Sequence, residues 1–216
     1  MVSAPASAPI SPPAVSAPTR LRLPDLLNAT DRCADDVLSG RYDRLLRAGG
    51  PPTDERWYSR LYGDDELDIW LISWVPDRST ELHDHGGSLG ALTVVSGALT
   101  ETRWNGEALK RRRLRAGDQA AFPLGWVHDV VWAPSAAGRS VATGGSVSAG
   151  RSVATGGSVS AGRSVATGGS VGVPAAPITL SVHAYSPPLT AMSYYEVTDR
   201  QTLRRNRTQL TDAPEG

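Results

Sequence analysis

His83 and His85 flank a single aspartate, and a third histidine, His128, follows further along the chain. On a strand, residues i and i+2 project to one side, so both imidazoles face one way while Asp84 turns the other. Neutral imidazoles grouped in this way are nitrogen donors for a divalent transition metal. An H-x-H pair alone says little, because paired surface histidines are common. The register around it carries the weight.

Four residues separate His85 from Gly90, and six more separate Gly90 from Gly97. Beyond them lies Gly117-Asp-Gln-Ala-Ala-Phe-Pro123-Leu-Gly125-Trp-Val-His128. This resembles the two-part cupin signature, an H-x-H followed by a glycine and then G-x5-P-x-G-x2-H. The resemblance implies a neighbouring strand that turns His128 into the same pocket. Two positions depart from the pattern. Asp77 stands where a glycine usually opens the first half. Ser88, Leu89, Gly90 and Ala91 offer no carboxylate where most cupins supply a glutamate ligand. The expected site is therefore His83, His85 and His128 alone, a neutral donor set that leaves a bound ion its positive charge and suits an anionic, chelating substrate.

Three further segments resemble the cysteine dioxygenase type I family of thiol dioxygenases. Ser181-Val-His183-Ala-Tyr185-Ser-Pro-Pro is similar to the family's S-x-H-x-Y-S-P-P, including a cis-proline turn at Ser186-Pro187. Tyr58-Ser-Arg60 is similar to its Y-x-R, and His83-Asp-His85 with Ser88 to its H-D-H-x-x-S; Trp74 stands where the family often carries an aromatic. The likeness runs from about residue 22 to residue 197, interrupted by a repeat insertion. It implies one Fe(II) per chain, with L-cysteine held on it by thiolate and amine, and Arg60 with Tyr58 at the substrate carboxylate. Both atoms of O2 then end on sulfur, giving cysteine sulfinic acid. Ser181, His183 and Tyr185 alternate on a strand and project to one face, where serine orients imidazole and imidazole orients phenol. A guanidinium offers a carboxylate a planar, permanently charged fork; the ordinary use of Arg60 would be an ion pair with Asp64 or Glu66. The cysteine that crosslinks to tyrosine in animal relatives corresponds to Gly90, so Tyr185 is expected to stay unmodified.

The elements that must position these groups read mostly as short strands. Runs at 68–75, 91–95, 98–104, 119–122, 128–132 and 178–185 are separated by Gly, Pro, Asn or Asp, and Asn105-Gly106 is a hairpin signal between 99–104 and 108–114. The expected fold is an all-β cupin jelly-roll barrel with an N-terminal helical cap over 21–50. Within that cap Leu23-Pro24-Asp25-Leu26-Leu27 suits a first helical turn. Thr30 and Asp31 are candidate caps for a second helix carrying Val37, Leu38, Tyr42, Leu45 and Leu46. Residues 1–20, rich in Ala, Ser and Pro, are expected as a disordered leader, since they lack the basic start of a secretion signal. Residues 138–149 (GRSVATGGSVSA) recur at 150–161 and, in part, at 162–171. The Gly/Ser-rich stretch 135–176 is expected as a loop insertion in a single domain over 21–200, with 201–216 a polar tail.

The chain has 216 residues, with 22 basic and 22 acidic side chains. A net charge of zero leaves no electrostatic footprint for nucleic acid, and no apolar run is long enough for a membrane span. Cys33 is the single cysteine, which excludes an intrachain disulfide and fits a reducing cytoplasm. A cytoplasmic monomer acting on a small thiol and O2 is the resulting expectation. A 3-mercaptopropionate dioxygenase is the nearest alternative, and a cupin that binds metal or ligand without turnover is the alternative of another class. A zinc hydrolase would need an acid–base carboxylate beside the ligands, and none is obvious.

Overall fold

Side chains alternate across a strand, so a strand apolar at every position must be covered on both faces. That pattern dominates the computed structural model, which describes residues 20–47, 50–134 and 178–214. Helix α1 (Leu23–Leu38) and the short α2 (Asp43–Arg47) precede eleven strands: β1 (Trp57–Gly63), β2 (Asp68–Trp74), β3 (Leu82–Asp84), β4 (Leu89–Ser96), β5 (Ala98–Trp104), β6 (Leu109–Arg115), β7 (Gln119–Phe122), β8 (His128–Trp132), β9 (Thr179–Ser186), β10 (Ala191–Val197) and β11 (Leu203–Leu210). All pairings are antiparallel. They form one sheet in the order β1-β2-β9-β4-β7 and another in the order β11-β10-β3-β8-β5-β6. This is the expected all-β jelly roll with its N-terminal helical cap.

Two apolar layers result. Trp70, Ile72, Trp74, Leu92, Val94, Phe122 and Tyr185 of the first sheet pack against Leu99, Leu114, Val130, Met192 and Tyr194 of the second. The alternate residues Ile69, Leu71, Ala91, Val182 and Ala184 turn the other way, onto Leu26, Ala34 and Val37 of α1. β2 and β9 are therefore buried along their whole length. The cap seals the outer face of the first sheet and leaves the inner face to the site.

The cap differs from expectation in one respect. Thr30 does not start a second helix; it lies buried inside α1, with its hydroxyl donating to the Leu27 carbonyl at 3.0 Å. Thr93 of β4 donates to the Thr30 oxygen at 2.9 Å. A threonine whose hydroxyl is satisfied by the preceding turn and by a sheet residue no longer competes with the helix as a cap would. The break falls instead at residues 39–42, where Gly40 takes a positive φ of 84°.

Strand limits for β5, β7 and β8 coincide with the sequence runs. β10 and β11 lay outside them, and β11 occupies half of the segment expected as a polar tail. It is an edge strand, half-buried at Leu203 and exposed beyond it, so neither face shows the apolar alternation that marks a strand in sequence. Residues 1–19 of the expected leader and the repeats at 138–171 lie outside the described residues.

Candidate metal centre

β3 and β8 pair in the middle of the second sheet, and the register sets His83 directly against His128. His85 follows β3 by one residue. The three ring centroids stand 5.1, 4.9 and 5.2 Å apart, a nearly equilateral triangle. One nitrogen from each ring lies within 4.8 Å of the others, and all three residues are buried. The turn at Gly86, with φ 58°, and the Asp84 carboxylate accepting from the Gly86 amide at 2.9 Å carry the chain out of β3. Asp84 also accepts from the Tyr195 hydroxyl at 2.6 Å, so the residue between the two histidines is fixed to β10.

Two of the rings are oriented from behind. His83 Nδ1 lies 2.9 Å from the carbonyl of Glu81, a residue held at φ 60°. A carbonyl only accepts, so Nδ1 carries the proton and Nε2 is the lone-pair nitrogen. His128 Nδ1 lies 3.2 Å from Glu101 Oε1. Glu101 sits on the inner face of β5, wholly buried, and its other oxygen accepts from Arg112 Nε across the β5–β6 hairpin. Trp126 Nε1 points at Glu101 Oε1 from 3.4 Å. Burial raises the Glu101 carboxyl, but the hydrogen bond from His128 and the hydrogen bond and charge of Arg112 outweigh it and hold it below the ordinary glutamate range. Three convergent neutral imidazoles, two with fixed tautomers, suit a divalent transition metal and match the expected donor set.

Facing the triad, β9 carries Ser181, His183 and Tyr185, all fully buried. Trp74 Nε1 donates to Ser181 Oγ at 2.7 Å, Ser181 Oγ lies 3.0 Å from His183 Nε2, and His183 Nδ1 lies 3.2 Å from the Tyr185 hydroxyl. The indole can only donate, which leaves the serine proton for His183 Nε2. His183 then donates from Nδ1 to the phenol oxygen. The Tyr185 proton is directed away from His183, and its ring stands 4.9 Å from that of His85. Phe122 packs over the triad at 4.2 Å from His128 and 5.5 Å from His85.

Gly90 stands opposite both Tyr185 and Phe122. A Cβ placed there would meet Phe122 Cδ2 at 2.9 Å and His85 Nδ1 at 3.4 Å. The missing carboxylate and the phenylalanine beside it are one packing choice. The Ser186–Pro187 bond is cis.

Arg60 and Tyr58 sit on edge strand β1, on the same sheet face as the ladder. Arg60, Trp70, His183 and Leu92 form one row across β1, β2, β9 and β4. The Arg60 guanidinium lies over Trp70 at 4.5 Å, donates from Nη2 to the Asp212 carbonyl at 3.3 Å and stands 3.9 Å from Asp68 Oδ2. Its ion partner is Asp68, not Asp64 or Glu66. Asp64 accepts from Tyr62 and from the amides of Glu66 and Leu67, while Glu66 pairs with Arg20. Tyr58 meets Trp70 edge-on at 5.8 Å. Both β1 residues are partly exposed, whereas the triad and the ladder are enclosed.

Glu101 and Asp68 escaped the sequence reading. Asp68 is almost fully buried beside Tyr185 in the β2–β9 register. Burial raises its carboxyl above the usual aspartate range, against the opposing pull of Trp70 and Arg60.

No helix among the described residues is long and apolar enough to cross a membrane. No curated protein matches the chain in sequence. Several solved structures resemble it at low identity. KdgF from Halomonas sp. is 14% identical with a TM-score of 0.38, the match covering 61% of this chain and 80% of that one. An uncharacterized conserved protein with a double-stranded β-helix domain from Klebsiella pneumoniae is 14% identical at TM-score 0.39, covering 73% and 89%. A cupin superfamily protein from Desulfitobacterium hafniense is 10% identical at 0.37, covering 62% and 80%. Residues 53–121 match the sequence model of one family, a stretch holding Tyr58, Arg60, His83, His85 and Glu101 but neither His128 nor β9. The family whose model residues 53–121 match is cysteine dioxygenase type I.

Proposed function

We propose that the protein is an Fe(II) thiol dioxygenase that converts L-cysteine and O2 into cysteine sulfinic acid. The observation that carries this reading is the ladder Ser181–His183–Tyr185, buried opposite three histidines whose ligating nitrogens lie within 4.8 Å. His83, His85 and His128 would hold the metal, which when bound supplies the thiolate ligation and one-electron chemistry that O2 requires.

The chain's own residues then position and protonate. Arg60, with Tyr58 beside it, offers the substrate carboxylate a charged fork at the partly exposed edge of the sheet. To do so, the guanidinium exchanges the Asp212 carbonyl for the substrate while Trp70 keeps its plane fixed. His183 holds the Tyr185 oxygen, so the phenol proton is presented to the reacting sulfur and oxygen atoms without a search over rotamers. Phe122, Leu92 and Trp70 line an apolar interior that keeps water from competing. The stoichiometry is self-contained: the thiol and one O2 give the sulfinic acid, both oxygen atoms bonding to sulfur, with no external reductant.

Oxygen consumption by anaerobically Fe(II)-loaded protein, with cysteine, 3-mercaptopropionate and cysteamine in parallel, tests the reading. Cysteine is expected to be turned over fastest and cysteamine, with no carboxylate for Arg60, least. Absence of thiol-dependent uptake with all three would remove the enzyme reading.

A further inference from the structure

Glu101 is a buried charge in contact with the triad for which the proposed reaction has no use. Its side chain is 0% exposed, and His128 Nδ1, Arg112 Nε and Trp126 Nε1 converge on its two oxygens. Removing a carboxylate from water costs several kcal/mol, and an apolar residue of similar size would complete the Leu99–Leu114–Val130 layer without that cost. The rest of the triad shows what the charge adds. His83 has its tautomer fixed by a neutral carbonyl, that of Glu81. Orientation alone therefore needs no anion. Arg112 offsets the charge only in part, because its side chain is 39% exposed and water screens it, while the carboxylate is enclosed.

We infer that Glu101 is a positioning residue for the metal, holding His128 in the Nδ1–H tautomer and supplying from behind that ligand the negative charge that Gly90 does not supply directly. The inference rests on the proposed metal site. The Nδ1–H to carboxylate bond makes His128 a stronger nitrogen donor than the carbonyl-backed His83 and partly neutralises a divalent ion held by uncharged ligands. Arg112 and Trp126 restrain the carboxylate, so that it stays behind the imidazole. The charge is moved by the breadth of one imidazole ring, which leaves an open coordination position where a ligating carboxylate would have taken one.

The test is metal affinity, measured anaerobically by competing a chromophoric chelator for Fe(II) and, as an air-stable probe, Co(II). Glu101→Gln keeps the shape and an acceptor oxygen but removes the charge, and is expected to weaken binding of both ions by about 10- to 100-fold. The metal-free variant is expected to melt no lower than the metal-free wild type. Arg112→Gln keeps the carboxylate but loosens one of its restraints, and is expected to lose less affinity than Glu101→Gln. Glu101→Asp, which retains the charge, is expected to bind more tightly than Glu101→Gln. Equal affinity of Glu101→Gln and wild type, or an equal loss in Arg112→Gln and Glu101→Gln, would overturn the inference while leaving the triad as the metal site. Failure of the wild type to take up either ion would overturn both.

Discussion

Gly90 on β4 stands directly across from Tyr185 on β9, and the space its missing side chain leaves is closed by Phe122. The position that the sequence resemblance aligns with the usual cupin carboxylate is therefore filled from a third strand. Gly90→Glu is expected not to create a fourth ligand. Its Cβ meets the Phe122 ring at 2.9 Å, so the variant should lose roughly 1–3 kcal/mol of stability through overpacking, with no gain in Co(II) affinity. Thermal melts and metal titrations check this. Gly90→Glu combined with Phe122→Ala, which opens the space, is where a gain in affinity is expected.

The direction of the β9 hydrogen bonds makes a second prediction. With Trp74 donating to Ser181, the arrangement that gives every proton of the ladder an acceptor has Ser181 donating to His183 and His183 to Tyr185. Tyr185→Phe removes the final donor and is expected to lower kcat by about 10²-fold or more, the usual effect of deleting a positioned proton donor. Metal affinity should not change, since Tyr185 lies outside the triad. Ser181→Ala should fall between Tyr185→Phe and wild type, because it loosens the ladder without removing the phenol. Steady-state oxygen uptake measures both.

Arg60 offers a test that separates binding from chemistry. A charge-assisted hydrogen bond contributes about 1.5–3 kcal/mol, so Arg60→Ala is expected to raise KM for cysteine by roughly 10- to 150-fold. The KM for cysteamine, which lacks the carboxylate, should hardly move. A KM for cysteine unchanged by the substitution would take the carboxylate clamp away from Arg60.

Asp68 predicts a pH dependence of stability. Burial raises its carboxyl, against the pull of Trp70 and Arg60, so the folded chain holds that proton more tightly than the unfolded chain does. Its contribution is most favourable below the unfolded aspartate range and is lost as pH rises through the raised folded value. Asp68→Asn is accordingly expected to be more stable than wild type at neutral pH. The advantage should shrink as pH falls and vanish in acid below the ordinary aspartate range. Thermal melts of the pair at a series of pH values measure the difference directly; a variant less stable at neutral pH would contradict it.

Much of the site was legible because strand geometry has a period of two. The spacing of His83 and His85, and of Ser181, His183 and Tyr185, already places each set on one face. The Asn105-Gly106 signal marks the hairpin but not its register: Trp104 pairs with Leu109, which sets Glu101 opposite Arg112, on the same strand face as Leu99. What could not be read was which face turned inward there, or that His128 on a third strand would lie diagonally beside it. β11 was illegible for the opposite reason: an edge strand exposed along nearly its whole length carries no apolar pattern.

The sequence by itself determined the His83–His85 pair, the shared face of Ser181, His183 and Tyr185, and several strand limits through spacing along one segment, while His128 was joined to the pair through a motif resemblance. Only the tertiary structure decided that Thr30 continues a helix, that Arg60 leans on Asp68, and that a buried glutamate backs His128. Those relationships join residues many positions apart, and they are set by which groups the two packed sheets bring together and must satisfy away from water. The missing charge at Gly90 was visible from the start; its nearest replacement, Glu101, became visible only when β5 was folded against β8.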